Sequence, residues 1–257
     1  MRLISDGFSE TGIRRNQNQD AVGIFTDEEQ GLFLVSDGMG GHSEGERASQ
    51  EVRAACQRWW EQYLERCREG TEPDFQQTVQ ELKEMLSMTS RKIWDETSQK
   101  EICGATVVLL WIWNTSYALL WSGDSRCYLA EARLLGAKVH QLTIDDVWEN
   151  QPEQQSQYSR DELLSHPNFG KLVRAAGVSK NFICTVQTGI LDGKSLFALC
   201  SDGVYKYMAP GSLEAILKGS VRQDDFEKAF QKIRDAVYGN QAPDNLSCVL
   251  VKAEKKG

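Results

Sequence analysis

Apolar residues along this chain follow two patterns, short dense runs and stretches spaced by three and four. The largely apolar runs include Leu32-Phe33-Leu34-Val35, Ala105 to Trp113, Ser116 to Ser122, Arg126 to Ala132, Leu196 to Cys200 and Leu246 to Val251. Runs of this length bounded by turn residues predict buried strands. Shorter strands are expected at Arg2–Ser5, Ala21–Phe25, Val139–Ile144 and Ile183–Thr188, and Asn114-Thr115 suits a tight hairpin. The second pattern runs from His42 to Leu64, where Ala48, Val52, Ala55, Cys56, Trp59, Trp60 and Tyr63 mark one helical face. Ser43 and Glu46 have the spacing of a capping box at its start, and the paired tryptophans are expected to pack in the core. Asp74 caps a second expected helix to about Thr97, with Phe75, Val79, Leu82, Leu86, Ile93 and Trp94 as its stripe. Further helices are predicted over Ser212–Leu217 and Asp224–Val237, and a frayed basic tail over Lys252–Gly257.

Trp148 to Ala176 breaks with both patterns. It is rich in Gln, Glu and Ser, contains Pro152 and Pro167, and holds only short helical signals at Asp161–Leu164 and Lys171–Ala175. A polar excursion between strands is the usual form of a flap that faces substrate.

Composition narrows the class. The 257 residues suit one large domain or two small ones, and 40% hydrophobic content supplies a core. A net charge of −8 argues against nucleic acid as partner. No apolar run is long enough to cross a bilayer, so no membrane insertion is expected. Seven cysteines without a C-x-x-C pair, and no signal peptide at the N-terminus, point to a reducing cytoplasm.

The chemistry lies where strands end. Leu34-Val35-Ser36-Asp37-Gly38 and Leu199-Cys200-Ser201-Asp202-Gly203 are two apolar strands, each running into Ser-Asp-Gly. Asp20, Asp145 and Asp244 also stand at strand mouths. A lone aspartate after a strand is an ordinary turn former. Gathered carboxylates repel and raise one another's pKa unless a cation neutralises them, so five of them either stay apart or bind metal. Hard oxygen donors suit Mg²⁺ or Mn²⁺. Two such ions would activate a water for in-line attack on phosphorus, and the planar fork of Arg15 could hold phosphate oxygens. On its own the loop holding Arg14, Arg15 and Asp20 reads as solvated surface. No Walker loop is present, and His42, His140 and His166 show no partner pattern.

The ordered motifs resemble the metal-dependent Ser/Thr protein phosphatases of the PPM family (type 2C), in compact bacterial form. They are Arg15 with Asn18-Gln19-Asp20-Ala21, Val35-Ser36-Asp37-Gly38-Met39-Gly40-Gly41-His42, Gly104-Ala105-Thr106, Gly123-Asp124-Ser125-Arg126, Leu142-Thr143-Ile144-Asp145, Leu199-Cys200-Ser201-Asp202-Gly203 and Asp244-Asn245-Leu246-Ser247. The resemblance implies an α+β fold, a four-layer αββα sandwich of two antiparallel sheets flanked by helices. It further implies a single phosphatase domain over 1–257 with a flap subdomain at about 146–182. Its activity would be hydrolysis of phosphoserine and phosphothreonine in proteins phosphorylated by a Ser/Thr kinase. By the same resemblance Asp37 bridges two Mg²⁺ or Mn²⁺ ions, the Gly38 carbonyl and Asp20 complete one, and Asp202 and Asp244 serve the other. Asp145 would bind a third, weaker ion with Asp202 shared, Arg15 would bind phosphate, and Asn245 would support the Asp244 loop.

The chain departs from the family's pattern at two places. Met39 stands where animal relatives carry a histidine proposed as general acid, so the leaving oxygen must be protonated another way. Asp146-Val147 replaces the His-Ser that often follows the third-metal aspartate. A phosphoprotein-binding module on the same fold is the rival reading; it predicts lost ligand positions, and this chain keeps them all.

Overall fold

The computed structural model describes residues 1–27, 29–41, 43–97 and 103–255. Eleven strands form two antiparallel sheets among the described residues. The first sheet has the order β1 (Arg2–Glu10), β11 (Leu246–Glu254), β10 (Ser195–Cys200), β7 (Arg126–Ala132), β8 (Ala137–Gln141). The second has the order β2 (Asp20–Asp27), β3 (Gln30–Gly40), β5 (Val107–Trp113), β6 (Ser116–Ser122), β9 (Thr185–Ile190), with β4 (Cys103–Ala105) paired to the end of β3.

The largely apolar runs are explained by what covers each face. Along β3, Phe33 and Val35 point into the space between the sheets, where they meet Phe197, Leu199, Val249 and Val251. Leu32 and Leu34 point the other way, onto α1 (Glu44–Arg68) and α2 (Phe75–Glu96). Across the molecule, Ala198, Cys200, Cys248 and Leu250 face α5 (Asp202–Tyr205), α6 (Ser212–Ser220) and α7 (Glu227–Gly239). Successive strand residues alternate between two dry interfaces, so neither register of the period-2 pattern is polar. The result is the αββα sandwich, with Trp59 and Trp60 buried under α1 as expected.

Several expectations are corrected. Ser43 is the N-cap of α1, but its backbone is near-helical (φ −88°, ψ 0°) and its hydroxyl makes no cap hydrogen bond. A side-chain cap needs an extended N-cap residue, as at Asp74, which accepts the Gln77 amide at 2.7 Å. His42, the first residue of the expected helix, lies outside the described residues. Lys171–Ala175 is not helical: Leu172 bridges Val147, and the Val173 amide bonds the Asp146 carbonyl at 2.9 Å. The short helices of this region are α3 (Pro152–Gln157) and α4 (Arg160–Ser165), after a 3-10 turn at Trp148–Asn150. The tail is no loose end as far as Glu254. Lys252 lies 1% exposed within β11 and pairs with Asp224. All seven cysteines are free, and no described helix is long and apolar enough to cross a membrane.

Candidate active site

One end of the sandwich gathers acidic residues from both sheets. Asp20 begins β2 and is the register partner of Asp37 on β3. Asp202 follows β10 and Asp244 precedes β11, which are neighbours in the other sheet. Strand pairing thus fixes two carboxylates on each side of the gap between the sheets.

Asp37 does not end its strand. β3 continues to Gly40 and pairs there with β4, while Thr106 interrupts what the sequence presents as one run from Ala105 to Trp113. Thr106 and Asp37 exchange bonds: the Thr106 amide donates to the Asp37 carbonyl (2.8 Å), and the Asp37 amide donates to Thr106 Oγ1 (2.9 Å). Ser36 Oγ donates to the Thr106 carbonyl at 2.6 Å, and Thr106 Oγ1 lies 2.6 Å from Ser125 Oγ. The threonine hydroxyl replaces a ladder bond and re-aims the strand at the point where Asp37 projects.

Both Ser-Asp-Gly glycines are demanded by close backbone approach. A Cβ on Gly38 would stand 2.1 Å from the Gly45 carbonyl oxygen, and one on Gly203 would stand 1.8 Å from the Asn245 carbonyl oxygen. Gly38 therefore lies directly against the start of α1, and Gly203 against the Asp244-Asn245 turn.

Ser201 and Ser247 join the two sheets at Asp20. Ser201 Oγ and Ser247 Oγ each donate to Asp20 Oδ2 at 2.7 Å, which ties the first sheet to the second. Asn245 holds the Arg15 loop: its Oδ1 accepts the Gln19 amide, and its Nδ2 donates to the Thr11 and Gln17 carbonyls, all at 2.9 Å. The fork of Arg15 lies on Asp244, with Nε and Nη2 each 2.8 Å from a carboxylate oxygen.

Charge is concentrated and buried here. Burial pushes Asp20 up to about 6 despite the two serine hydroxyls, with Asp202 and Asp244 adding to the rise. Burial and then the charges of Asp20, Asp202, Asp124 and Asp244 raise Asp37 well above the carboxylate range. A hydrogen bond to Asp244 raises Arg15. The rises at Asp20 and Asp37 reflect their closeness to Asp202 and Asp244.

Residues 12–251 match the family model for protein phosphatase 2C. The chain belongs to the protein phosphatase 2C family. Its relatives include the serine/threonine phosphatase stp of Listeria monocytogenes (29% identical, over 96% of this chain and 94% of the relative) and the protein phosphatase PhpP of Streptococcus pneumoniae (24%, 96% of each). Among solved structures, the serine/threonine phosphatase of Staphylococcus aureus has the same fold at a TM-score of 0.80 (24% identity, 99% of this chain and 96% of that one). The phosphatase is thus of the protein Ser/Thr class, in a family that is metal-dependent.

The donor set of the phosphatase fits such a metal. Asp20 Oδ1 is buried and has no hydrogen-bond partner, although Oδ2 has two, so one oxygen of a nearly inaccessible carboxylate is left for a cation. Among the described residues, no three His, Cys, Asp or Glu side chains stand as a ready cage. Two of the four carboxylates are held by cations of the chain itself, Asp244 by Arg15 and Asp202 by Lys206.

Asp145, read in the sequence as a ligand of a third ion, is held by an arginine in this structure. Its carboxylate takes three bonds from Arg126, at 2.7 to 3.2 Å, and Arg126 also lies 3.5 Å over the Tyr205 ring. Asp145 thus anchors the arginine of the Gly-Asp-Ser-Arg turn. Asp146 accepts the Gly123 amide at 3.0 Å, which secures the same turn from its other end. The carboxylate that shares a partner with Asp202 is Asp124, 2% exposed and raised by burial and by Asp202. Lys206 Nζ bridges them, 2.7 Å from Asp202 Oδ2 and 2.9 Å from Asp124 Oδ2. The sequence treats Asp124 as a turn residue and gives Lys206 no role. The only signal was the four-residue spacing of Asp202 and Lys206, which sets them on one helical face.

Proposed function

We propose that this phosphatase hydrolyses phosphoserine and phosphothreonine in proteins at a binuclear Mg²⁺ or Mn²⁺ centre. Asp20, Asp37, the Gly38 carbonyl, Asp202 and Asp244 would hold the ions. The observation that carries this reading is the orphaned oxygen of buried Asp20 beside the carboxylates of Asp37, Asp202 and Asp244. Bound there, two divalent ions supply the charge that acidifies a water and neutralises developing negative charge on the phosphoryl group.

The chain's own residues do the positioning. Asp37 stands between the sheets, held by the Thr106 exchange, and fits the role of bridge. Ser201 and Ser247 hold Asp20 through Oδ2 and leave Oδ1 free for an ion. Arg15, at 52% side-chain exposure, has a fork matched to two phosphate oxygens; it would exchange Asp244 for the phosphoryl group as substrate enters. Asn245 keeps that arginine in reach by holding the backbone on both sides of it. Met39 offers no proton, so the leaving oxygen takes its proton from solvent. The segment 146–182 is assigned as the flap of one domain spanning 1–257, acting in the cytoplasm on the products of a Ser/Thr kinase.

The test is phosphate release from phosphothreonine, phosphoserine and phosphotyrosine peptides with Mn²⁺ or EDTA. Metal-dependent release from the first two is expected; release unaffected by EDTA would contradict the reading.

A further inference from the structure

Asp124 lies almost wholly inside the protein at the turn between β6 and β7, and its Oδ1 is buried without a hydrogen-bond partner. Its Oδ2 meets the Lys206 ammonium, which meets Asp202 Oδ2 on its other side. A buried carboxylate facing a second, partly exposed one is best satisfied by a cation between their oxygens, whether a side chain or a metal ion. Here the chain provides one. Asp202 opens α5 and Lys206 follows one turn later as its C-cap, so the helix sets the ammonium beside Asp202. The turn is locked by Tyr205, whose hydroxyl donates to the Asp124 carbonyl at 2.9 Å and whose ring lies under Arg126.

We propose that Lys206 is a built-in cation that closes the Asp124–Asp202 pair to divalent metal, leaving a site for two ions only. An ammonium and a hard divalent ion would compete for the same Oδ2 atoms. The ammonium has the advantage of a tether, which holds it at an effective concentration in the millimolar range or above. A free ion at ordinary concentration must displace it and also leave the lysine charge beside a metal. The chain therefore carries, in covalent form, the cation expected from a third metal. The inference rests on reading Asp20, Asp37, Asp202 and Asp244 as ligands of the other two.

The test counts Mn²⁺ bound by the full chain, by equilibrium dialysis with elemental analysis and by spin-resonance titration of free Mn²⁺. Wild type is expected to bind about two ions and Lys206→Met about three. Lys206→Arg, which keeps a cation, should stay at about two, and adding Asp124→Asn to Lys206→Met should abolish the gained ion. A third ion on wild type, or no gain in a Lys206→Met protein that circular dichroism shows to be folded, overturns the proposal while the two-ion reading stands. Fewer than two ions on wild type removes the ligand reading and the proposal together. Should Lys206→Met fail to fold, Asp124→Asn in the wild-type background decides: an unchanged count supports the lysine as occupant, and loss of an ion overturns it.

Discussion

A carboxylate surrounded by carboxylates is an expensive residue to bury, and Asp37 and Asp20 are both buried in that way. Their cost is tolerable only if cations repay it, so the two aspartates and Arg15 should differ in kind when mutated. Asp37→Asn removes the carboxylate proposed as the bridge and should lower kcat on the order of 10³-fold or more, with metal affinity falling in parallel. Arg15→Ala removes an orienting contact and should cost about 10- to 100-fold, largely in KM. Equal losses with metal still bound would contradict this division. Asp20 makes a second prediction, for the metal-free protein. Its folded pKa of about 6 lies above the ordinary carboxylate value of about 3.9. The folded state therefore holds the proton more tightly. That contribution to stability is complete below about pH 4 and is lost as pH rises through about 6. Asp20→Asn cannot ionise, so in EDTA its stability relative to wild type should rise by about 2 kcal/mol between about pH 4 and about pH 8. Paired thermal melts at several pH values measure it; a flat difference would refute it.

Among the elements, what was legible was whatever the apolar pattern alone decides. β10 spans Ser195–Cys200, the run visible in the sequence, and α2 begins after Asp74 as its cap demands. The illegible parts depend on partners distant in the chain. Nothing near Asp37 announces that Thr106 will replace a ladder bond, because the two residues meet only when β3 and β5 pair. Asp145, which the family resemblance would make a metal ligand, gives its oxygens to Arg126, a choice made by packing across β7. Asp20, Asp202 and Asp244 sit at strand ends and Asp37 lies within β3 opposite Asp20, so antiparallel pairing brings these candidate ligands together. Thr106→Val keeps the shape but leaves the Asp37 amide and Ser125 hydroxyl without their shared partner. It should cost about 1–3 kcal/mol and reduce activity by misplacing Asp37. Gly203→Ala should destabilise by about 2 kcal/mol or more, since the new methyl meets the Asn245 backbone, which cannot rotate away. Denaturant unfolding of both variants gives these values directly.

For the whole molecule, the site is also a fastening between the sheets. Asp20 is bonded to Ser201 and Ser247, and the ions it would share with Asp202 and Asp244 would bind the same two sheets more firmly. Saturating Mn²⁺ at about 100 times its Kd should add about 2.7 kcal/mol per site, and so raise Tm by several degrees over the chelated protein. The most direct test of the central claim is hydrolysis of a small aryl phosphate by the purified chain, with Mn²⁺, with EDTA, and as Asp37→Asn. Turnover that requires Mn²⁺ and disappears in both controls is the predicted result. A wild type that binds two ions by calorimetry yet turns nothing over would contradict it, and would make the chain a phosphoprotein-binding module on a phosphatase fold.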